Sequence, residues 1–175
     1  MSTPAPVPSG AVPITWGAVI GAPTFPRGDT PAGGQGKPVA GMTCDPSEGM
    51  TLHLHAHLAL FANGRQRAIP RSIGIPARTP PCIYWLHTHD ASGVLHIEAS
   101  KEKTLTLGDF FKLWGEPLSR TQVGPYRGAV TVFVDGKRWP GDPNAVKLKN
   151  LEQIVLEVGR EVAPPVYALP AGMDR

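Results

Sequence analysis

The sequence predicts an α+β domain, mainly β: a hairpin-built sheet or small barrel with one short helix, β-grasp-like or cupin-like in its arrangement. Three observations predict it. Glycine and proline number 20 each among 175 residues, which excludes an all-helical bundle. Residues 51–61 alternate apolar and histidine positions as an extended strand requires. One window, 106–115, repeats at helical spacing and carries its own start and stop signals. A 41% apolar and 18% charged composition supplies a packed core and lacks the signature of a disordered chain.

Residues 1–41 hold eight prolines and eight glycines against three charges, Arg27, Asp29 and Lys37. Such a stretch sustains neither a helix nor a central strand, yet Trp16, Val19, Ile20 and Phe25 are too apolar for a spacer. It is read as an irregular arm draped over the domain of residues 42–160, and residues 161–175 as a proline-rich tail. In the first long strand, Thr51 to Phe61, Leu52, Leu54, Ala56, Leu58 and Leu60 take one side. His53, His55, His57, Ala59 and Phe61 take the other. Asn63-Gly64 is a type I′ turn signal that returns the chain as Arg65 to Pro70.

A second hairpin is expected from Cys82–His89 and Val94–Glu98 around the turn-like Asp90-Ala-Ser-Gly93. Thr106 is placed to cap the helix, whose Leu107, Phe110, Phe111 and Trp114 share one face and which Gly115 and Pro117 end. Ala129–Val134 and Arg138–Trp139 flank Asp135-Gly136 as a third hairpin, and Gln153–Val158 makes a last strand.

Composition narrows function. Lys plus Arg exceed Asp plus Glu by 17 to 14, scattered along the chain, so a nucleic-acid partner is not expected. No stretch approaches the ~20 apolar residues of a membrane span. Met1–Gly10 reads as no signal peptide, though a mature chain whose leader had been removed would read the same. Cys44 and Cys82 fit one disulfide in an oxidising compartment or two unrelated buried thiols in a reducing one, the bridge being favoured.

All six histidines fall between His53 and His96. With Asp90–Gly93 as a four-residue loop, the hairpin pairs His89 with Val94, His87 with His96 and Trp85 with Glu98. His87, His89, His96 and Glu98 then share a face. The first strand adds His55 and His57 in preference to His53, because imidazoles at i, i+2 and i+4 spread over too great a length for one ion. The expected metal ligands are therefore His55, His57, His87, His89, His96 and Glu98, with His53 in reserve and Asp90 as an orienting residue behind His89. Asp90 serves equally well as a turn former.

Neutral imidazoles with one carboxylate suit copper first and zinc second, with iron a further candidate. Met42 and Met50 are candidate thioether donors or core filler. An extracytoplasmic protein of metal acquisition, buffering or delivery follows, with the ion and a metal-donor or metal-acceptor protein as partners. The competing readings are a mononuclear metalloenzyme, hydrolase or oxygenase, and a metal-free histidine surface that responds to pH. Tyr84, Trp85 and Trp114 are read as core or as pocket lining.

The blocks His53-Leu-His-Ala-His-Leu58, Ile73-Gly-Ile75, Leu86-His-Thr-His-Asp-Ala-Ser-Gly-Val-Leu-His-Ile-Glu98 and Thr106–Gly115 resemble, in the same order, those of a set of exported bacterial and archaeal proteins. The resemblance spans about residues 44–158. It implies a periplasmic or secreted setting and a shared histidine site, and names no substrate.

Overall fold

A computed structural model describes residues 9–173. Its principal sheet is built from β1 (Leu52–Ala62), β2 (Arg65–Arg67), β3 (Leu86–His87), β4 (Val94–Ala99), β5 (Val130–Val134), β6 (Lys137–Arg138) and β7 (Gln153–Val158), with helix α1 at Leu107–Trp114. The sheet runs β6-β5-β7-β1-β4-β3, with β2 paired to the far half of β1. It is an open mixed sheet and no closed barrel, so the barrel and cupin-like alternatives are set aside and the mainly-β class with one short helix is what the fold shows.

The turn signals act as the sequence predicts. Asn63 and Gly64, and Asp135 and Gly136, all take positive φ, the requirement of the type I′ turns that join β1 to β2 and β5 to β6. Thr106 caps α1: its hydroxyl accepts from the Asp109 amide, and the Asp109 carboxylate accepts from the Thr106 amide. Gly115 ends the helix at φ 82°, donating to the Phe111 carbonyl.

The last strand was expected, but not its partner. β7 lies parallel to β1, Gln153 opposite His57 through Val158 opposite Ala62, which makes β1 the central strand. Its leucine side, with Leu95 and Ile97 of β4, packs against Phe110, Phe111 and Trp114 of α1 in the main apolar core, together with Tyr84, Trp85 and Met42. The aromatic trio therefore belongs to the core. The opposite side of the sheet carries a smaller cluster in which Ala59, Phe61, Val94 and Val155 meet Ile14 of the arm and Tyr167 and Met173 of the tail. Arm and tail pair with each other in parallel, Val12 opposite Tyr167. They cover the half of this face that carries His57, Ala59 and Phe61, and reach the remaining histidines only at their edges, through Met173 beside His55 and Trp16 beside His96.

Cys44 and Cys82 form a disulfide, and their flanks pair as a two-residue ladder, Cys44 opposite Tyr84 and Asp45 opposite Ile83. This shortens the expected second hairpin. Residues 83–84 pair with the Cys44 segment, and only Leu86 and His87 pair with β4. No helix among the described residues is long and apolar enough to cross a membrane.

Candidate metal centre

The histidines converge because two registers agree on β4. The β1–β4 ladder sets His53 opposite Glu98, His55 opposite His96 and His57 opposite Val94, while the β3–β4 ladder sets His87 opposite His96 as expected. Directly opposed residues share a face, so His55, His96 and His87 form a row across three strands, with ring centroids 4.9 and 5.2 Å apart. His53 extends the row at one end, 4.9 Å from His55, and His89 at the other, 4.8 Å from His87 and 4.5 Å from His96.

Glu98 lies within reach of four of the five imidazoles, His53, His55, His87 and His96. Its Oε1 is 3.3 Å from His53 Nε2, 3.8 Å from His55 Nε2 and 3.2 Å from His96 Nδ1, and its Oε2 is 3.7 Å from His87 Nε2. His53 thus joins the cluster in spite of its reserve position in the sequence reading.

Glu48 joins as well, and sequence reasoning missed it. Its Oε1 stands 3.3 Å from His89 Nε2 and 3.8 Å from His87 Nε2. The residue lies on an irregular stretch with no periodicity to assign it a face. What delivers it is the covalent bridge four residues earlier, helped by Asp45, whose carboxylate accepts from Trp85 Nε1 at 2.8 Å, and by the Thr51 amide, which donates to the Ala99 carbonyl at 3.1 Å. Proximity to Cys44 was the one available signal.

Four residues considered for the ion's surroundings, His57, Asp90, Met42 and Met50, are placed elsewhere. His57 is fully buried, its Nε2 2.9 Å from the Ser92 carbonyl and its ring 4.1 Å from that of Tyr167, and it belongs to none of the ligand groups. The tail covers this step of β1, which is why alternation alone misplaced it. Asp90 accepts from the Ser92 amide at 3.0 Å and from the Gly17 amide at 2.8 Å, so it closes its turn and ties down the arm rather than orienting an imidazole. Met42 sits in the leucine-face core, as the core-filler alternative has it, and Met50 is exposed.

The arm that Asp90 holds brings Trp16 above the row, its ring 6.3 Å from that of His96.

The donor atoms are prepared by their neighbours. Nδ1 of His55 is 2.9 Å from the Met173 carbonyl and Nδ1 of His87 is 2.9 Å from the Tyr84 carbonyl. A carbonyl can only accept, so both Nδ1 atoms carry the proton and both Nε2 atoms present a lone pair, the arrangement that metal-binding histidines use. Burial, then repulsion from His96, depresses His87 to a pKa of about 3, and burial also lowers His55. Burial is the largest single effect on Glu98 and opposes its ionisation, but the hydrogen bond with His96 and the attraction of His87, His96 and His53 together outweigh it and hold the carboxyl well below the usual carboxylate range.

At neutral pH, then, His87 Nε2 and Glu98 Oε2 face each other as two acceptors 3.7 Å apart, both buried and neither with a hydrogen-bond partner among the described residues. An unsatisfied buried polar atom costs ~1–3 kcal/mol, and a cation between two such atoms removes the cost at both. The groups whose donor atoms lie within 4.8 Å of one another are His87/His89/His96, His53/His55/Glu98 and Glu48/His87/Glu98. They can hold a metal ion.

Comparison with protein-family models, with curated proteins and with solved structures gives no match to this chain.

Proposed function

We propose that the protein is an extracytoplasmic metal-binding protein that takes copper first and zinc second through the histidines of β1, β3 and β4, for acquisition, buffering or delivery of the ion. The observation that carries this reading is the pair of opposed, buried, partnerless acceptors His87 Nε2 and Glu98 Oε2. Neutral imidazole nitrogens with a carboxylate are borderline donors, which suit copper and zinc ahead of calcium or magnesium.

Carriage is favoured by the graded exposure of the ligand set. His55, His87, His96 and Glu98 form a buried floor, whereas His53, His89 and Glu48 keep 34%, 43% and 45% of their side chains exposed. An ion can be handed to the rim groups by a donor protein and passed to the floor without unfolding the sheet. The disulfide and the resemblance to exported proteins in these same histidine blocks support an oxidising, extracytoplasmic setting.

The test is elemental analysis of untagged protein followed by calorimetric titration with Cu²⁺ and Zn²⁺ of the native chain, His87→Ala and His96→Ala. Native protein is expected to bind at neutral pH with release of little or no proton from His55 and His87, since both already present free Nε2 atoms. Unchanged affinity and stoichiometry in both variants would discard the proposal.

A further inference from the structure

The ligand set is too large for one ion. A zinc or copper ion held at Zn–N distances of ~2.0–2.1 Å is filled by about four donors, whereas seven side chains converge here, five imidazoles and two carboxylates. They are also strung out. The rings run His53, His55, His96, His87 in steps of 4.9, 4.9 and 5.2 Å, so no single position reaches both ends. Two of the ligand groups, His53/His55/Glu98 and His87/His89/His96, share no residue, and each is tight enough to hold an ion by itself.

Resting on the metal-binding reading above, we infer that this is a dinuclear centre, with one ion on His53, His55 and Glu98, a second on His87, His89 and His96, and Glu98 as the carboxylate bridge between them. Glu98 is divided in the required way. Oε1 faces the imidazoles of β1, at 3.3 and 3.8 Å, and also accepts from His96 Nδ1 at 3.2 Å, which leaves Nε2 as the nitrogen of His96 open to the second ion; Oε2 faces His87 on the far strand, at 3.7 Å, with no partner of its own among the described residues. One oxygen serves each ion. Glu48 Oε1, 3.3 Å from His89 Nε2 and 3.8 Å from His87 Nε2, adds a fifth ligand, after the three imidazoles and Glu98 Oε2, on the side of the second ion.

The charge argument agrees. Five neutral imidazoles leave two divalent ions with a formal +4, against which Glu98 and Glu48 provide −2. A shared, buried carboxylate lies where the repulsion between the ions is greatest, and this explains why a charge is retained on a strand that is otherwise apolar or histidine. The two sites differ in access through His53 at one end and His89 with Glu48 at the other, so they fill and empty from opposite ends of the row.

The experiment is Cu²⁺ titration of the untagged, full-length protein, with stoichiometry by calorimetry and elemental analysis and with electron paramagnetic resonance at one and two equivalents. Native protein is expected to bind two ions per chain. The second equivalent should broaden or diminish the isolated-Cu²⁺ spectrum of the first through coupling to a near neighbour. His53→Ala/His55→Ala and His87→Ala/His89→Ala should each retain one ion with an isolated spectrum. Glu98→Gln should weaken the second binding step at least tenfold while the first persists. Circular dichroism confirms that each variant is folded, and single replacements stand in for any double variant that is not. One ion per chain, lost from both double variants, would overturn the dinuclear assignment and leave the proposed function standing; a second ion with an isolated spectrum would overturn it by placing that ion elsewhere. No binding at all would sink both.

Discussion

His57 is the buried histidine that no ligand group uses, and it makes a sharp prediction about acid stability. Burial depresses its pKa from 6.5 to about 4, against a smaller opposing effect of the Ser92 carbonyl. An unfolded chain takes up the proton near pH 6.5, whereas the folded protein refuses it until about pH 4. The unfolded state therefore binds more protons between those values. Stability attributable to His57 is fully present above pH 6.5 and is lost as pH falls through that window. At ~1.36 kcal/mol per pH unit the interval is worth about 3 kcal/mol.

His57→Gln keeps an N–H donor for the Ser92 carbonyl and removes the titration. Urea denaturation of metal-free protein in chelator, at half-unit steps from pH 7.5 to 4.5, gives both stabilities. Subtracting one from the other cancels the contributions of His55 and His87, which the two proteins share. The native protein should lose stability relative to the variant at up to ~1.4 kcal/mol per pH unit below pH 6, and metal stoichiometry should be unchanged. Parallel pH profiles would refute the claim that His57 is held neutral by burial, and a lost metal ion would refute its placement outside the centre.

Three further outcomes follow from the same geometry. Trp16→Phe should remove a large part of the fluorescence quenching that bound Cu²⁺ produces, because Trp16 lies 6.3 Å from the His96 ring; equal quenching in the variant would place the ion away from the row. Replacing both cysteines by serine opens a loop of 38 residues' separation, a loss of roughly 4 kcal/mol in the chain-entropy model, and should also weaken the second metal-binding step by releasing Glu48. Calorimetry on the folded double variant at low temperature separates the two effects. Thr106→Ala removes the hydroxyl that accepts from the Asp109 amide and should cost about 1 kcal/mol in urea denaturation without altering metal binding.

Local patterns in the sequence determined the strands, the turns and the helix. The alternation in residues 51–61 specified which side of β1 is leucine and which histidine, since a strand admits no other assignment. Thr106, Asp109 and Gly115 marked the helix ends through their own hydrogen bonds and φ preference. The opposition of His87 and His96 was likewise legible, because a short hairpin ties register to loop length.

Only the tertiary structure decided which histidines meet. Whether β1 pairs with β4 at His55 or two residues further on is a long-range register, set by packing the leucine face against α1 and by the parallel β7, and no nearby residue encodes it. The same holds for His57, taken out of the row by Tyr167 from a tail more than a hundred residues away, and for Glu48, brought into it by a disulfide. A side chain's face is a property of its neighbours in the chain, but its company is decided by whichever distant segment gains most by burying itself beside it.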